Sequence, residues 1–214
     1  MKITIAGASG QIARLLQPKL INRGHTVRGI IRKEEQAEDL KRMGVYPVIA
    51  DIANLDDLSD ATGDVDAVIF AAGAGPGSGA ERKWTVDRDG AIKLIDACKT
   101  NGISRYVMIS AMGLETPRGD DVFRVYQQAK AEADEALRNS GLDYTIVKPG
   151  RLTNDEGTGL VSIAAKLDRG EIPREDVASI LAEVLETPET IGTEFDLLSG
   201  TDDIKKALST FTKK

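Results

Sequence analysis

Tyr126 and Lys130 in "YQQAK" stand four residues apart, a spacing that puts both side chains on one face of a helix. At about 100° per residue they flank an apolar stripe of Val122, Ala129, Ala133 and Leu137, so Lys130 is expected to lean toward the protein interior. An ammonium beside a phenol lowers the phenol's pKa from its usual value near ~10, and a drop of about three units corresponds to about 4 kcal/mol. Such a phenol can exchange a proton with a carbonyl or alcohol oxygen while a hydride moves to or from a nicotinamide. That chemistry needs a hydride carrier, and therefore a place to hold one.

Two glycine-rich stretches compete for that role. In "AAGAGPGSGAERKW" at 71–84, Gly75, Gly77 and Ala80 satisfy the written pattern G-x-G-x-x-A, but Pro76 removes an N–H donor and helical periodicity resumes only later. In "ITIAGASGQIARLL" at 3–16, Gly7 follows a strand-like run directly and leads straight into a helix, whose free N–H groups and dipole would face a pyrophosphate. Gly7 permits the turn, Gly10 lets the backbone approach phosphate, and Ala13 is small enough for the helix to lie on a sheet. The first stretch is the better phosphate cradle. In the second, Ala71 to Gly73 are expected to pass close to the cofactor, and Gly75 to Gly79 to form a mobile cover over the substrate mouth.

The residues after the second strand, in "VRGIIRKEE", are Arg32 and Lys33, where an acidic side chain would prefer the free 2'-hydroxyl of NAD. Two cations there can neutralise a 2'-phosphate, so NADP (NADPH) is expected over NAD. In "ADI", Asp51 is placed to accept a hydrogen bond from the adenine amino group, with Ile52 beside it.

The elements that must position these groups are legible as an alternation of Val/Ile-rich runs and helical periods. Strands are expected near Lys2–Ala6, Thr26–Ile31, Tyr46–Ala50, Ala67–Phe70, Arg105–Ser110 and Asp143–Lys148, with helices near Gln11–Arg23, Glu34–Met43, Leu55–Ala61, Trp84–Asn101 and Val122–Ser140. After Pro149 come the loop "GRLTNDEGTG", an apolar stretch from Leu160 to Leu167, a helix near Arg174–Glu186, a strand near Glu194–Leu198 and a short last helix. Pro18 falls inside the first helix and removes the bond to the Arg14 carbonyl. The pattern is that of an α/β protein: a Rossmann-type doubly wound parallel sheet with a small C-terminal extension on the substrate side.

The 214 residues suffice for a single domain spanning 1–214 that buries roughly 70% of its unfolded surface, with no room for a second substrate domain of ordinary size. Hydrophobic residues at 41% and charged residues at 29%, both signs mixed, exclude disordered and membrane compositions. A net charge of -6 without a Lys/Arg block argues against a nucleic-acid partner. The chain starts on a strand with no signal-peptide pattern and has no apolar run near the ~20 residues of a membrane span, so a cytoplasmic location and a small-molecule substrate are expected. The lone Cys98 sits in an apolar helical pattern and reads as core. His25, the only histidine, reads as structural, which leaves serine-hydrolase and zinc chemistry without a base or a ligand set. The acidic residues Asp51, Asp56, Asp57 and Asp60 read as a solvated helix start, and no metal is expected.

Taken in order, "GASGQIA", "ADI", "DAVIFAAG", "VDRDGAIKLIDACK", "RYVMISAMG", "YQQAKAEADEALRNSGLDYTIVKPG" and "REDVA" resemble the short-chain dehydrogenase/reductase superfamily in its atypical, epimerase- or dehydratase-like form related to NmrA-like proteins. The resemblance covers nearly the whole chain. It implies that Gly7, Ser9, Gly10, Gln11 and Ile12 hold the pyrophosphate and that Ala71, Ala72 and Gly73 line the path from adenosine to nicotinamide. It also implies that Pro149 lies near the nicotinamide, that Lys130 binds the nicotinamide ribose hydroxyls, and that Tyr126 is the general acid/base. Two positions depart from the family. Asp87 in "VDRDG" stands where the active-site tetrad has Asn, and a carboxylate there would serve a water relay with altered charge. Ser110 precedes by one place the usual substrate-positioning hydroxyl, where this chain has Ala111. The loop residues Arg151, Asn154 and Glu156 are placed where this fold meets substrate. The resemblance implies an NADP-dependent oxidoreductase acting on a small carbonyl or alcohol. A non-enzymatic NADPH sensor and a sugar epimerase or dehydratase are the alternatives.

Overall fold

Residues 1–75 and 77–213 are described by a computed structural model. Chain order is β1 (Lys2–Ala6), α1 (Gln11–Asn22), β2 (Thr26–Ile31), a 3-10 turn (Glu34–Gln36), α2 (Ala37–Arg42), β3 (Tyr46–Ile49), α3 (Ser59–Thr62) and β4 (Ala67–Phe70). Then follow α4 (Ala80–Arg82), a π-helical segment (Lys83–Asp89), α5 (Gly90–Thr100), β5 (Arg105–Ile109), α6 (Asp121–Arg138) and β6 (Asp143–Pro149). The last third holds β7 (Arg151–Thr153), β8 (Leu160–Ala164), β9 (Glu171–Pro173), α7 (Arg174–Leu185), β10 (Thr193–Ser199), β11 (Asp202–Asp203) and α8 (Ile204–Thr212).

The main sheet is ordered β11-β8-β10-β6-β5-β4-β1-β2-β3. From β3 to β10 every pairing is parallel, and β8 and β11 close one edge antiparallel. Side chains alternate across the pleat and so build two cores. Ile3, Ile5, Ile69, Val107 and Val147 meet Leu16 and Leu20 of α1 and Val177 and Leu181 of α7 on one face. Val68, Phe70, Tyr106, Met108 and Ile146 meet Leu94 and Cys98 of α5 and Ala133 and Leu137 of α6 on the other. Helices on both faces of a mostly parallel sheet make this the expected Rossmann-type doubly wound fold.

Strand order reverses between β1 and β4, whose last residues Ala6 and Phe70 lie side by side in the register. Beyond those carboxyl ends a crevice opens, the place where open α/β sheets take their ligands. α1 runs through Pro18 to Asn22. The helix expected over Glu34–Met43 is a 3-10 turn followed by α2, the one expected over Leu55–Ala61 is confined to Ser59–Thr62, and helical structure begins at Ala80 rather than Trp84. No helix among the described residues is long and apolar enough to cross a membrane.

Candidate functional site

At the exit of β1 the backbone turns under constraints that only glycine satisfies. Gly7 has φ +81°, and a Cβ on it would lie 2.6 Å from the Ala72 Cα, so the loops leaving β1 and β4 touch backbone to backbone. The Gly10 N–H donates to the Gly7 carbonyl at 2.9 Å, and Gly10 is the N-cap of α1 with no side chain covering the helix end. The first turn of α1 carries no acidic residue, so its free N–H groups and dipole remain available to an anion. Ala13 is buried where α1 meets the sheet, and Gln17 donates to the Ala8 carbonyl at 2.7 Å, fixing the turn from beneath.

Above this turn lies a cavity of about 240 Å³ lined by Gly7, Ser9, Gly10, Arg32, Asp51, Ile52, Ala71, Ala72 and Gly73, all singled out in the sequence. Gln36, Ala74, Arg82 and Val86 also line it and were not singled out. Gln36 Nε2 donates to the Ser9 hydroxyl at 3.0 Å while its Oε1 accepts the Lys33 N–H at 3.2 Å, tying the β1–α1 loop to the end of β2. Lys33 itself is not in the lining. It is exposed, and its ammonium pairs with Glu35 at 3.0 Å. Gln11, Ile12 and Pro149 also lie outside the lining, the first two in the opening turn of α1 and the last at the end of β6.

A second cluster adjoins the first through Ala74. Its N–H donates to Asp87 Oδ2 at 3.1 Å, while the other oxygen of that fully buried carboxylate lies 3.9 Å from Lys130 Nζ and has no hydrogen-bond partner among the described residues. Lys130, 4% exposed, donates to the Ile109 carbonyl at 2.9 Å and faces the Phe70 ring. Tyr126 is half-buried, stacked on Phe123 at 5.7 Å between ring centroids, with Lys83 Nζ 5.5 Å from its ring centroid. Lys83 in turn donates to the Gly75 carbonyl at 2.8 Å. Pro76, part of the stretch expected to be a mobile cover, lies outside the described residues.

One expectation is corrected here. Sequence spacing predicts that Lys130 lowers the Tyr126 pKa, whereas burial raises it, and the negative charges of Asp87 and Asp134 raise it further. The Lys130 ammonium is turned to Ile109 and Asp87, so its charge is largely matched before it reaches the phenol. Ser110 is likewise committed elsewhere, donating its hydroxyl hydrogen to buried Asp134 at 2.6 Å, one helical turn beyond Lys130.

The arrangement fits a dinucleotide in two independent respects. Gly7 admits no Cβ against Ala72, and Asp87 Oδ1 is a buried acceptor lacking a donor among the described residues, beside the Lys130 ammonium. Arg151 and Asn154, expected at the substrate mouth, are engaged locally: Arg151 pairs with Glu171, and Asn154 accepts from Arg174 at 2.8 Å. Glu156 is exposed.

Known proteins resemble this chain over nearly its whole length. The Bacillus subtilis (strain 168) protein described as the uncharacterized sugar epimerase YhfK is 39% identical over 211 residues, covering 97% of this chain and 99% of that one. Sanguinarine reductase of Eschscholzia californica is 26% identical over 259 residues, covering 99% and 93%. The solved structure of a putative NAD-dependent epimerase/dehydratase from Bacillus halodurans has 39% identity and a TM-score of 0.93, with 99% of this chain and 100% of that one covered. The sequence profile of the NAD(P)H-binding family matches residues 7–188, from the Gly7 turn through the Lys130 cluster into the last third, and the chain belongs to that family.

Proposed function

We propose that this chain is an NADPH-dependent oxidoreductase that reduces a small carbonyl compound, with Tyr126 donating the proton. The observation that carries this reading is the contact at Ala74, which lines the phosphate cavity and donates to Asp87 in the Tyr126–Lys130 cluster, so that one extended ligand reaches both. The sanguinarine reductase among its relatives supports the reductive direction.

Gly7, Ser9 and Gly10, with the N–H groups of Gln11 and Ile12, take the pyrophosphate. Asp51 and Ile52 meet the adenine, and Arg32 meets the 2'-phosphate. Ala71 to Gly73 let the cofactor pass over the end of β4. Lys130 donates to the nicotinamide ribose hydroxyls, Asp87 Oδ1 accepts from them, and Pro149 bounds the nicotinamide end. When bound, the cofactor supplies a hydride from nicotinamide C4. A phenol whose pKa is raised stays protonated at neutral pH, so Tyr126 is poised to give a proton to a substrate oxygen rather than to take one. That sign favours reduction over the initial oxidation a sugar epimerase performs. Ser110, bound to Asp134, is left out of the reacting set.

The same observation favours a second reading, a cofactor-sensing protein without turnover, since Lys130 does not activate the phenol. Both are tested by following NADPH oxidation with a panel of quinones, aldehydes and flavins, using the parent and Tyr126→Phe. For the reductase, Tyr126→Phe is expected to lower kcat by about 100-fold or more with cofactor affinity unchanged. The parent's reductive rate should not fall through phenol ionisation between about pH 7 and about pH 9. Equal rates in parent and variant would remove Tyr126 from the chemistry. No turnover by the parent, together with cofactor-dependent capture of a protein, would establish the sensor.

A further inference from the structure

Arg32 reaches the cavity from the end of β2, and Arg82 reaches it from α4. Neither guanidinium has an ion-pair or hydrogen-bond partner among the described residues. The one carboxylate among the described lining residues, Asp51, is already engaged: its Oδ1 accepts the Ala53 N–H at 3.0 Å and its Oδ2 accepts from Asn54 Nδ2 at 3.1 Å. Two unmatched cations thus line the same cavity as the bare N-terminus of α1. With the pyrophosphate at that helix end, the remaining anion a dinucleotide can bring to this cavity is the 2'-phosphate.

We propose that Arg82 and Arg32 form a two-sided clamp on the adenosine 2'-phosphate, and that this clamp, rather than the neighbouring pair Arg32–Lys33, selects the phosphorylated cofactor. The proposal rests on the reading of this chain as an NADPH-binding oxidoreductase. Lys33 is excluded from the clamp because its ammonium is held by Glu35 outside the lining. A guanidinium suits the task, since its planar fork binds phosphate oxygens in pairs. The clamp also touches the reacting end. Arg82 directly precedes Lys83, whose ammonium holds the Gly75 carbonyl and lies over the Tyr126 ring, so a phosphate that fixes Arg82 also steadies the segment carrying Lys83.

Calorimetric titration with 2',5'-ADP and with 5'-AMP separates the terms, because the two ligands differ only in the 2'-phosphate. The parent should bind 2',5'-ADP at least about tenfold tighter than 5'-AMP. Arg82→Gln and Arg32→Gln should each weaken 2',5'-ADP by about tenfold or more and leave 5'-AMP within twofold, and Lys33→Gln should change neither. Arg82→Lys, which keeps the charge and loses the fork, should fall between parent and Arg82→Gln, guarding against a folding artefact. If Arg82→Gln weakens both ligands alike, or neither, the clamp is overturned while the NADPH reading stands. A parent that binds the two ligands equally overturns the NADP preference and the clamp together.

Discussion

Asp134 carries a charge the fold does not welcome. It is 2% exposed, and burial pushes its pKa up to about 6, although the Ser110 hydroxyl and the charges of Lys130, Arg138 and Lys148 pull the other way. A carboxyl with a raised native pKa keeps its proton at pH values where the unfolded chain has lost it. Its contribution therefore favours folding most below the ordinary carboxylate range and is lost as pH rises through about 6. At about 1.4 kcal/mol per unit the change amounts to ~3 kcal/mol. Asp134→Asn removes the titration and leaves Ser110 an acceptor. Urea unfolding of parent and variant at about pH 4 and about pH 7.5 should show the difference in unfolding free energy moving by about 2–3 kcal/mol in the variant's favour at the higher pH. A difference independent of pH would show that Asp134 does not titrate in this window. The residue was not legible in the sequence. Tyr126 and Lys130 advertise themselves by type and spacing, whereas Asp134 is one acid among several on a charged helix until β5 covers it.

Among elements, the parallel strands were legible because both faces of each are buried and the sequence shows continuous apolar runs. Helix starts were less so, because side chains redirect the backbone locally. Asp57 takes the Ser59 N–H at 2.8 Å and its hydroxyl at 2.6 Å, a turn that delays α3 to Ser59. Gln36 closes the 3-10 turn by bonding back to the Lys33 N–H. The π register of Lys83–Asp89 widens the helix by one residue per turn, and periodic patterns do not show such insertions. It carries both Lys83 and Asp87 into the site. The turn from β1 into α1 was legible from context, strand then glycine then helix, and its strain can be measured. Gly7→Ala puts a Cβ at positive φ and 2.6 Å from the Ala72 Cα, whereas Gly24→Ala shares φ +81° with nothing within 4 Å. Both variants should lose about 1–2 kcal/mol to left-handed strain. Only Gly7→Ala should lose more stability and also weaken 2',5'-ADP by at least about tenfold. Equal effects on stability and on binding in both would mean the β1 and β4 exits do not touch.

At the scale of the molecule, the last third is fastened to the preceding elements by polar contacts as well as by the shared core. Arg105 of β5 donates to the Asp143 and Val184 carbonyls and to Thr190 Oγ1, while Arg23, just past the end of α1, reaches the Ala182 carbonyl and Glu183 of α7 and Glu186 just past its end. These long-range pairings join elements far apart in sequence, so nothing in local pattern marks them. The same is true of β8, which the sequence shows only as an apolar stretch and which becomes a strand by pairing antiparallel with β10. "REDVA" was legible as a family motif, and the structure supplies a physical reason for its acid. Asp176, buried in the first turn of α7, accepts the Thr158 N–H at 3.1 Å and the Gly159 N–H at 2.8 Å, and Glu175 accepts the Gly157 N–H at 3.1 Å. The loop after β7 is thereby strapped onto α7, which is why its side chains serve local bonds. Asp176→Ala is expected to cost about 2–3 kcal/mol, since two charge-assisted bonds are lost from a buried acceptor and the freed N–H groups recover part of the loss by hydration. Hydrogen exchange should quicken at Thr158 and Gly159 first, while 2',5'-ADP affinity stays within twofold, because the cavity lining is contributed wholly by residues before the last third. Unchanged exchange at those two amides would mean that the strap is not held by Asp176, and a parallel loss of nucleotide affinity would mean that the two parts of the molecule are energetically one.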